Sequence, residues 1–227
     1  MSPLLRKNLT AKTSESSYTL GEEIANGVTH GIGAILALTG LIYLVYYSVI
    51  FGNSWHIVSC TVYGATLVLL YTISTLYHSI PSPRVKSVMR ILDHSSIFLL
   101  IAGTYTPFML VSLNGPWGWS LFSVIWGLAL FGIVFQAAQQ KSWVAISVAL
   151  YILMGWAVVV AVKPLLAAIP TNGFLLLLFG GLAYTFGTLF YINKQLRFHH
   201  AIWHLFVIAG SAFHFFAVFF YFVPNGS

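Results

Sequence analysis

Charge is what this sequence has least of. Only 6% of its 227 residues are Asp, Glu, Lys or Arg, against about 25% in a soluble domain. Acidic groups number four, and Asp93 is the only one beyond Glu23. That scarcity excludes a soluble globular domain with a solvated surface. Cysteine is nearly absent too: Cys60 stands alone in an apolar run, so no disulfide framework exists within one chain. Polar low-complexity tracts, internal repeats and a second domain are missing. No secretory signal peptide is expected, because Met1 to Gly21 is polar and lacks an apolar core with a cleavage site.

What is present is apolar. Hydrophobic residues make up 59% of the chain and the mean hydropathy is +0.88. Seven apolar segments are evident: Ile24–Ile50, His56–His78, Leu92–Leu113, Trp117–Ala137, Trp143–Val162, Phe174–Ile192 and His200–Phe222. Each is near the ~20 residues needed to span a bilayer as a helix. The expected fold is an all-α seven-helix membrane bundle. Its domain covers residues 22–223, preceded by a polar tail over 1–21 and followed by a short tail over 224–227. Turn chemistry separates the segments at Phe51–Ser54, Ile80–Pro83, Asn114–Pro116, Gln139–Lys141, Pro170–Gly173 and Asn193–Lys194. Such short connections make sequential helices antiparallel neighbours. Ser82 and Pro83 form a cap and first position from which the third helix can start early. Pro107 is expected to kink that helix, since it removes a backbone donor and clashes with the preceding turn.

The net charge of +6 does not point to nucleic acid, because the basic residues lie between apolar segments. They set orientation instead. With seven helices, Arg6, Lys7, Lys12, Arg84, Lys86, Arg90, Lys141, Lys194 and Arg197 share one side, leaving Lys163 on the other. The positive-inside rule makes the N-terminus cytoplasmic and the C-terminus external.

This topology gathers polar residues at one end. His78 closes the second helix and Asp93 opens the membrane part of the third. His200 and His204 open the seventh, while Glu23, Asn26 and His30 open the first. His200 and His204, four apart, share one helical face, as do Ser74 and His78. Ionisable groups inside a membrane are costly and default to a functional site. Three imidazoles from two helices with one carboxylate suit Zn²⁺. Asp93 is a direct ligand or the holder of a metal-bound water. Plainer readings compete. The His200/His204 pair can be interfacial histidines wetted by headgroups, and His78 a simple interfacial anchor. Asp93 can pair with Arg90 one turn earlier, and Ser74 can bond back to its own helix carbonyl. His56 and His214, nearer the external end and mid-membrane, read as structural. His94 and His199 neighbour the candidate ligands but point elsewhere on their helices.

Three local patterns sharpen the picture: Glu23-Ile-Ala-Asn26-Gly-Val-Thr-His30, Ser74-Thr-Leu-Tyr-His78 followed by Asp93, and His200-Ala-Ile-Trp-His204. With Ile101-Ala-Gly-Thr-Tyr-Thr-Pro107, they make the chain resemble the progestin and adipoQ receptor family, in its bacterial hemolysin III-like branch. The resemblance runs from Glu22 to the end of the seventh helix. It implies a cytoplasmic-side zinc held by His78, His200 and His204, with Asp93 holding a zinc-bound water. Glu23, Asn26 and His30 would support the ligands from behind. It implies a multi-pass protein of the bacterial inner (plasma) membrane with a membrane lipid as substrate or ligand. The family's relation to alkaline ceramidases implies hydrolysis of a lipid amide. The short N-terminus departs from the adiponectin receptors, so a hormone-receptor role is not expected.

Three functions stay open at this point. One is a zinc-dependent hydrolase of lipid amides or esters, with Asp93 as general base and Ser74 steadying the oxyanion or the water. Another is a lipid-sensing, membrane-homeostasis or cytolytic protein in which zinc only joins helices. The third, a pore or transporter, has little beyond His214 and His56 as a relay.

Overall fold

The computed structural model describes residues 18–138 and 143–223. The expected C-terminal tail, most of the N-terminal one and the Gln139–Lys141 turn therefore lie outside the described residues. Among the described residues, seven helices are long and apolar enough to cross a membrane: α1 Leu20–Phe51, α2 Ser54–Ser79, α3 Pro83–Ser112, α4 Pro116–Ala138, α5 Val144–Ala168, α6 Thr171–Ile192 and α7 His199–Tyr221. Among the described residues there is no strand. The expected all-α bundle is what the chain forms.

Local chemistry explains most helix ends. Thr19 caps α1: its hydroxyl accepts the Glu22 backbone N–H while the Glu22 carboxylate accepts the Thr19 backbone N–H. Two donors that the first turn cannot satisfy are thereby paired. Asn53 and His56 close the start of α2 in the same way. α3 does begin at Pro83, but the Ser82 side chain makes no capping bond. Proline already supplies the helical φ and has no N–H to cap, so the helix starts without it. After Pro107 the chain widens into a π-helical turn over Phe108–Ser112, closed by Leu113 N–H to the Phe108 carbonyl at 2.8 Å. The expected distortion at Pro107 takes this form.

The fifth helix runs past its expected end at Val162. It breaks at Trp156, passes through a 3₁₀ stretch over Ala157–Ala161 and resumes as Val162–Ala168. Pro164 is tolerated because it falls in the first turn of the resumed helix, where backbone donors lack intrahelical partners anyway. Tyr105 from α3 bridges the break. Its hydroxyl donates to the Gly155 carbonyl at 2.7 Å and accepts the Val158 N–H at 2.9 Å.

Two apolar cores share α3. One joins α1, α2, α3 and α7 through Leu44, Tyr63, Leu67, Leu100, Val207 and Val218. The other joins α3, α4 and α5 through Phe98, Ala102, Met109, Ile125, Ala129 and Met154. Ile35, Val134 and Val160 face outward, each more than half exposed, as lipid-facing residues do. Helix α1 comes close to α2 at Gly33, where a Cβ would stand 2.7 Å from the Tyr71 ring. Absence of a side chain there lets Tyr71 reach α7, where its hydroxyl donates to Ser211 Oγ at 2.7 Å. Tyr184 of α6 meets the same oxygen at 2.9 Å. This knot ties α2, α6 and α7 in mid-bundle and holds the start of α7 against the end of α2.

Candidate metal centre

His78 from the last turn of α2 meets His200 and His204 from the first turns of α7. Each offers a ring nitrogen, and these atoms lie within 4.8 Å of one another, a group that could hold a metal ion. Ring centroids are 5.0 Å apart for His78–His200, 5.3 Å for His78–His204 and 4.5 Å for His200–His204. All three are buried. The interfacial reading of His78 and of the His200/His204 pair is therefore corrected: packing of α1 against α2 and α7 covers the rings.

Protein partners fix the tautomers. His78 Nδ1 lies 2.7 Å from Glu23 Oε2. A carboxylate only accepts, so Nδ1 carries a proton, and in the neutral ring Nε2 is left with the lone pair. The Nε2 atom is buried without a partner. Lys86 Nζ pairs with the other oxygen of Glu23. His204 Nδ1 lies 3.1 Å from the Asn26 carbonyl oxygen, which likewise only accepts, and 3.1 Å from Thr29 Oγ1. That leaves Nε2 of His204 as the free base. A carboxylate or carbonyl behind a histidine is the usual support of a metal ligand. The Asn26 amide also approaches His78 Nδ1, at 3.4 Å. His30 stacks on His204 with centroids 3.4 Å apart and planes 11° off parallel.

Among the described residues, seven buried side-chain nitrogens and oxygens lack a hydrogen-bond partner. Six are Asn26 Oδ1, both His30 ring nitrogens, Ser74 Oγ, His78 Nε2 and His200 Nδ1; only Ser48 Oγ lies elsewhere. An orphaned buried polar group costs roughly 1–3 kcal/mol. Such a concentration marks a site built for something polar, and an N₃ donor set suits a divalent transition metal.

A cavity of about 120 Å³ opens from this site into the bundle. Its polar end carries His30, Ser74, Asp93, His94, Tyr191, His200 and His204. Leu70, Ile97, Leu100, Ile101, Ile152, Trp156 and Val207 supply most of the apolar wall, interspersed with Thr104, Tyr105, Tyr151, Tyr184, Thr185, Thr188 and His214. Asp93 is 8% exposed. Ser74 does not bond back to its own helix; its hydroxyl is turned toward the Asp93 carboxylate across the cavity. His94 does not point away: it lines the same cavity, with Nδ1 3.1 Å from Gln136 Nε2 and Nε2 3.4 Å from the Tyr191 hydroxyl. His199, by contrast, faces the Phe190 carbonyl, 3.1 Å from its Nδ1.

Sequence reasoning missed Tyr18. Its ring lies 5.8 Å from His78, 5.8 Å from His199 and 5.2 Å from His200 by centroid, and burial pushes its phenol up from the ordinary range. No periodicity marks a residue just before a helix, although the Thr19-x-x-Glu22 capping signature beside it was readable. Phe198 was missed as well. It takes the left-handed conformation at φ 57°, and its N–H donates to Glu22 Oε1 at 3.2 Å, tying the lead-in of α7 to the start of α1.

A seven-helix membrane protein with a buried tri-histidine cluster at one end is the class these observations define. The family model described as "Haemolysin-III related" matches residues 18–215, and the chain belongs to that family. It is 48% identical over 219 residues to "Hemolysin-3" of Bacillus cereus, covering 96% of this chain and 100% of that protein. It is 49% identical over 204 residues to "Hemolysin-3 homolog" of Bacillus subtilis (strain 168), covering 90% and 96%. A more distant match, 27% identical over 206 residues, is "Monocyte to macrophage differentiation factor" of Homo sapiens, covering 88% and 84%. The resemblance read from the three local patterns is borne out.

Proposed function

We propose that this chain is a zinc-dependent hydrolase of membrane lipids, cleaving an amide or ester of a ceramide-like or fatty-acyl substrate. It works at the cytoplasmic side of the bacterial plasma membrane, with its N-terminus inside and its C-terminus outside. One observation carries the reading: unpartnered imidazole nitrogens, a buried carboxylate and the Ser74 hydroxyl gather at one end of a largely apolar cavity. That combination suits an amphiphile whose acyl part lies in the bundle and whose polar bond meets the site.

His78, His200 and His204 would hold the ion, with Glu23 and the Asn26 carbonyl behind two of them. When bound, Zn²⁺ supplies a Lewis acid and a water whose pKa falls toward ~7. Asp93 takes a proton from the attacking water at its carboxylate and returns one to the leaving amine or alcohol. The Ser74 hydroxyl donates to the oxygen that gains charge. The apolar walls keep bulk water from the reacting bond. Orientation rests on the placement of nine of the ten basic residues, and a reporter fused after Ser227 should read as external.

The test is zinc content and lipid hydrolysis on one purified sample of the Asp93→Asn variant. Asparagine keeps size and hydrogen bonding but cannot accept the proton. Zinc is expected to stay while turnover of ceramides, acyl-amides or esters falls ~10²-fold or more. Loss of zinc would make Asp93 a direct ligand in a closed site. No turnover by the wild type on any of these lipids would sink the enzyme reading. It would leave a zinc that joins α2 to α7 in a lipid-sensing, homeostasis or cytolytic protein. Red-cell lysis belongs in the same series, since the bacterial relatives are named hemolysins.

A further inference from the structure

We propose that Tyr18 is a cover over the three histidines that sets how fast a metal ion enters and leaves them. The inference rests on the metal reading above and not on turnover. Tyr18 immediately precedes Thr19, the capping residue of α1. A side chain in that position normally packs against the residue four places into the helix. Here that residue is Glu23, a carboxylate already taken by His78 and Lys86. Local stapling is therefore denied, and the ring instead lies across helices on His78, His199 and His200.

Two features hold it there. The capping box fixes the backbone beside Tyr18, with Thr19 N–H to Glu22 Oε2 at 2.9 Å. Glu22 also accepts the Phe198 N–H, so one carboxylate positions both the residue carrying the ring and the turn that delivers His199 and His200. Phe198 pays for this with a left-handed backbone, uncommon for a bulky side chain. Strain of that kind persists where the surroundings over-determine it. The three histidines are also buried, and on the side of the α1 start the Tyr18 ring lies over His78 and His200. Exchange then runs through a minor open state; if that is populated to about 10% or less, the closed ring slows exchange at least tenfold.

The experiment uses the full chain in lipid nanodiscs, loaded with Zn²⁺ or Co²⁺, and follows the rate of metal transfer to excess chelator. Tyr18→Ala should release metal about tenfold faster or more, load faster in the same proportion, and change the equilibrium affinity much less. Tyr18→Phe keeps the ring and should match the wild type. Glu22→Ala keeps the ring but loses its anchors, and should fall between the two. Wild-type release from Tyr18→Ala overturns the cover. So does Tyr18→Phe behaving like Tyr18→Ala, which would assign the effect to the hydroxyl. Weaker affinity in Tyr18→Ala with unchanged loading would make Tyr18 a supporting contact of the ligands and overturn the cover too. A wild type that takes up neither metal overturns this inference together with the metal reading, whereas missing lipid hydrolysis leaves it standing.

Discussion

His204 and His214 lie on the same helix, both inside the bundle, and meet opposite fates. In the middle of α7, His214 Nδ1 sits 2.8 Å from the Gly210 carbonyl one turn back, and its ring stacks on Tyr184. Its hydrogen bond is local. At the start of α7, His204 turns Nδ1 to the backbone of α1 and shares its other face with His78 and His200. His56, at the far end of α2, repeats the local solution by closing the Asn53 cap, 2.9 Å from Asn53 Oδ1. A histidine satisfied by its own helix can stay structural. Either arrangement leaves Nε2 with its lone pair; at the start of α7, however, two rings oriented by another helix, His78 and His204, meet a third, His200.

Breaking the convergent set should have the largest effect. His78→Ala, His200→Ala and His204→Ala should each lower metal content to near zero in purified protein and lower the thermal midpoint, because metal binding and folding are linked. His56→Ala and His214→Ala should keep metal content per folded chain near wild type. If those two strip the metal and the first three do not, the contrast is wrong.

A smaller effect is expected behind the ligands. Glu23→Gln removes the charge that holds the His78 proton, and should weaken metal affinity ~10–100-fold without abolishing binding. Competition with a chelator of known affinity measures it, and an unchanged affinity would show that Glu23 serves only its pair with Lys86. Smallest is the local region. Asn53→Ala removes the cap that His56 completes, costs about 1 kcal/mol of stability, and should leave metal affinity untouched. Denaturation and metal titration on the same variant read both, and a metal effect there would mean the two ends of the bundle are coupled.

Much of the site was legible because it follows from counting. Seven apolar runs of spanning length alternate in direction, so the end of α2 and the starts of α1, α3 and α7 fall on one side whatever the packing. The four-residue spacing put His200 and His204 on one face, and of Ser74 with His78 on another. Pro83 announced the early start of α3. These are properties of one helix at a time, set by a 3.6-residue period and by the apolar length a bilayer demands.

Tertiary structure decided what that period cannot carry: the rotation of each helix about its axis and which neighbour its polar groups meet. His94 shares the turn of Asp93, yet Gln136 of α4 and Tyr191 of α6 hold its ring in the cavity. Ser74 had a carbonyl on its own helix within reach and did not use it. The pairing of Glu23 with His78, the stack of His30 on His204 and the ring of Tyr18 across three histidines all join residues from different helices or from a helix and its lead-in. Such contacts span long stretches of sequence and depend on ångström-scale interhelical distances, which close approaches such as Gly33 against Tyr71 set. The chain alone therefore determined which residues share an end of the bundle, and packing determined which of them touch.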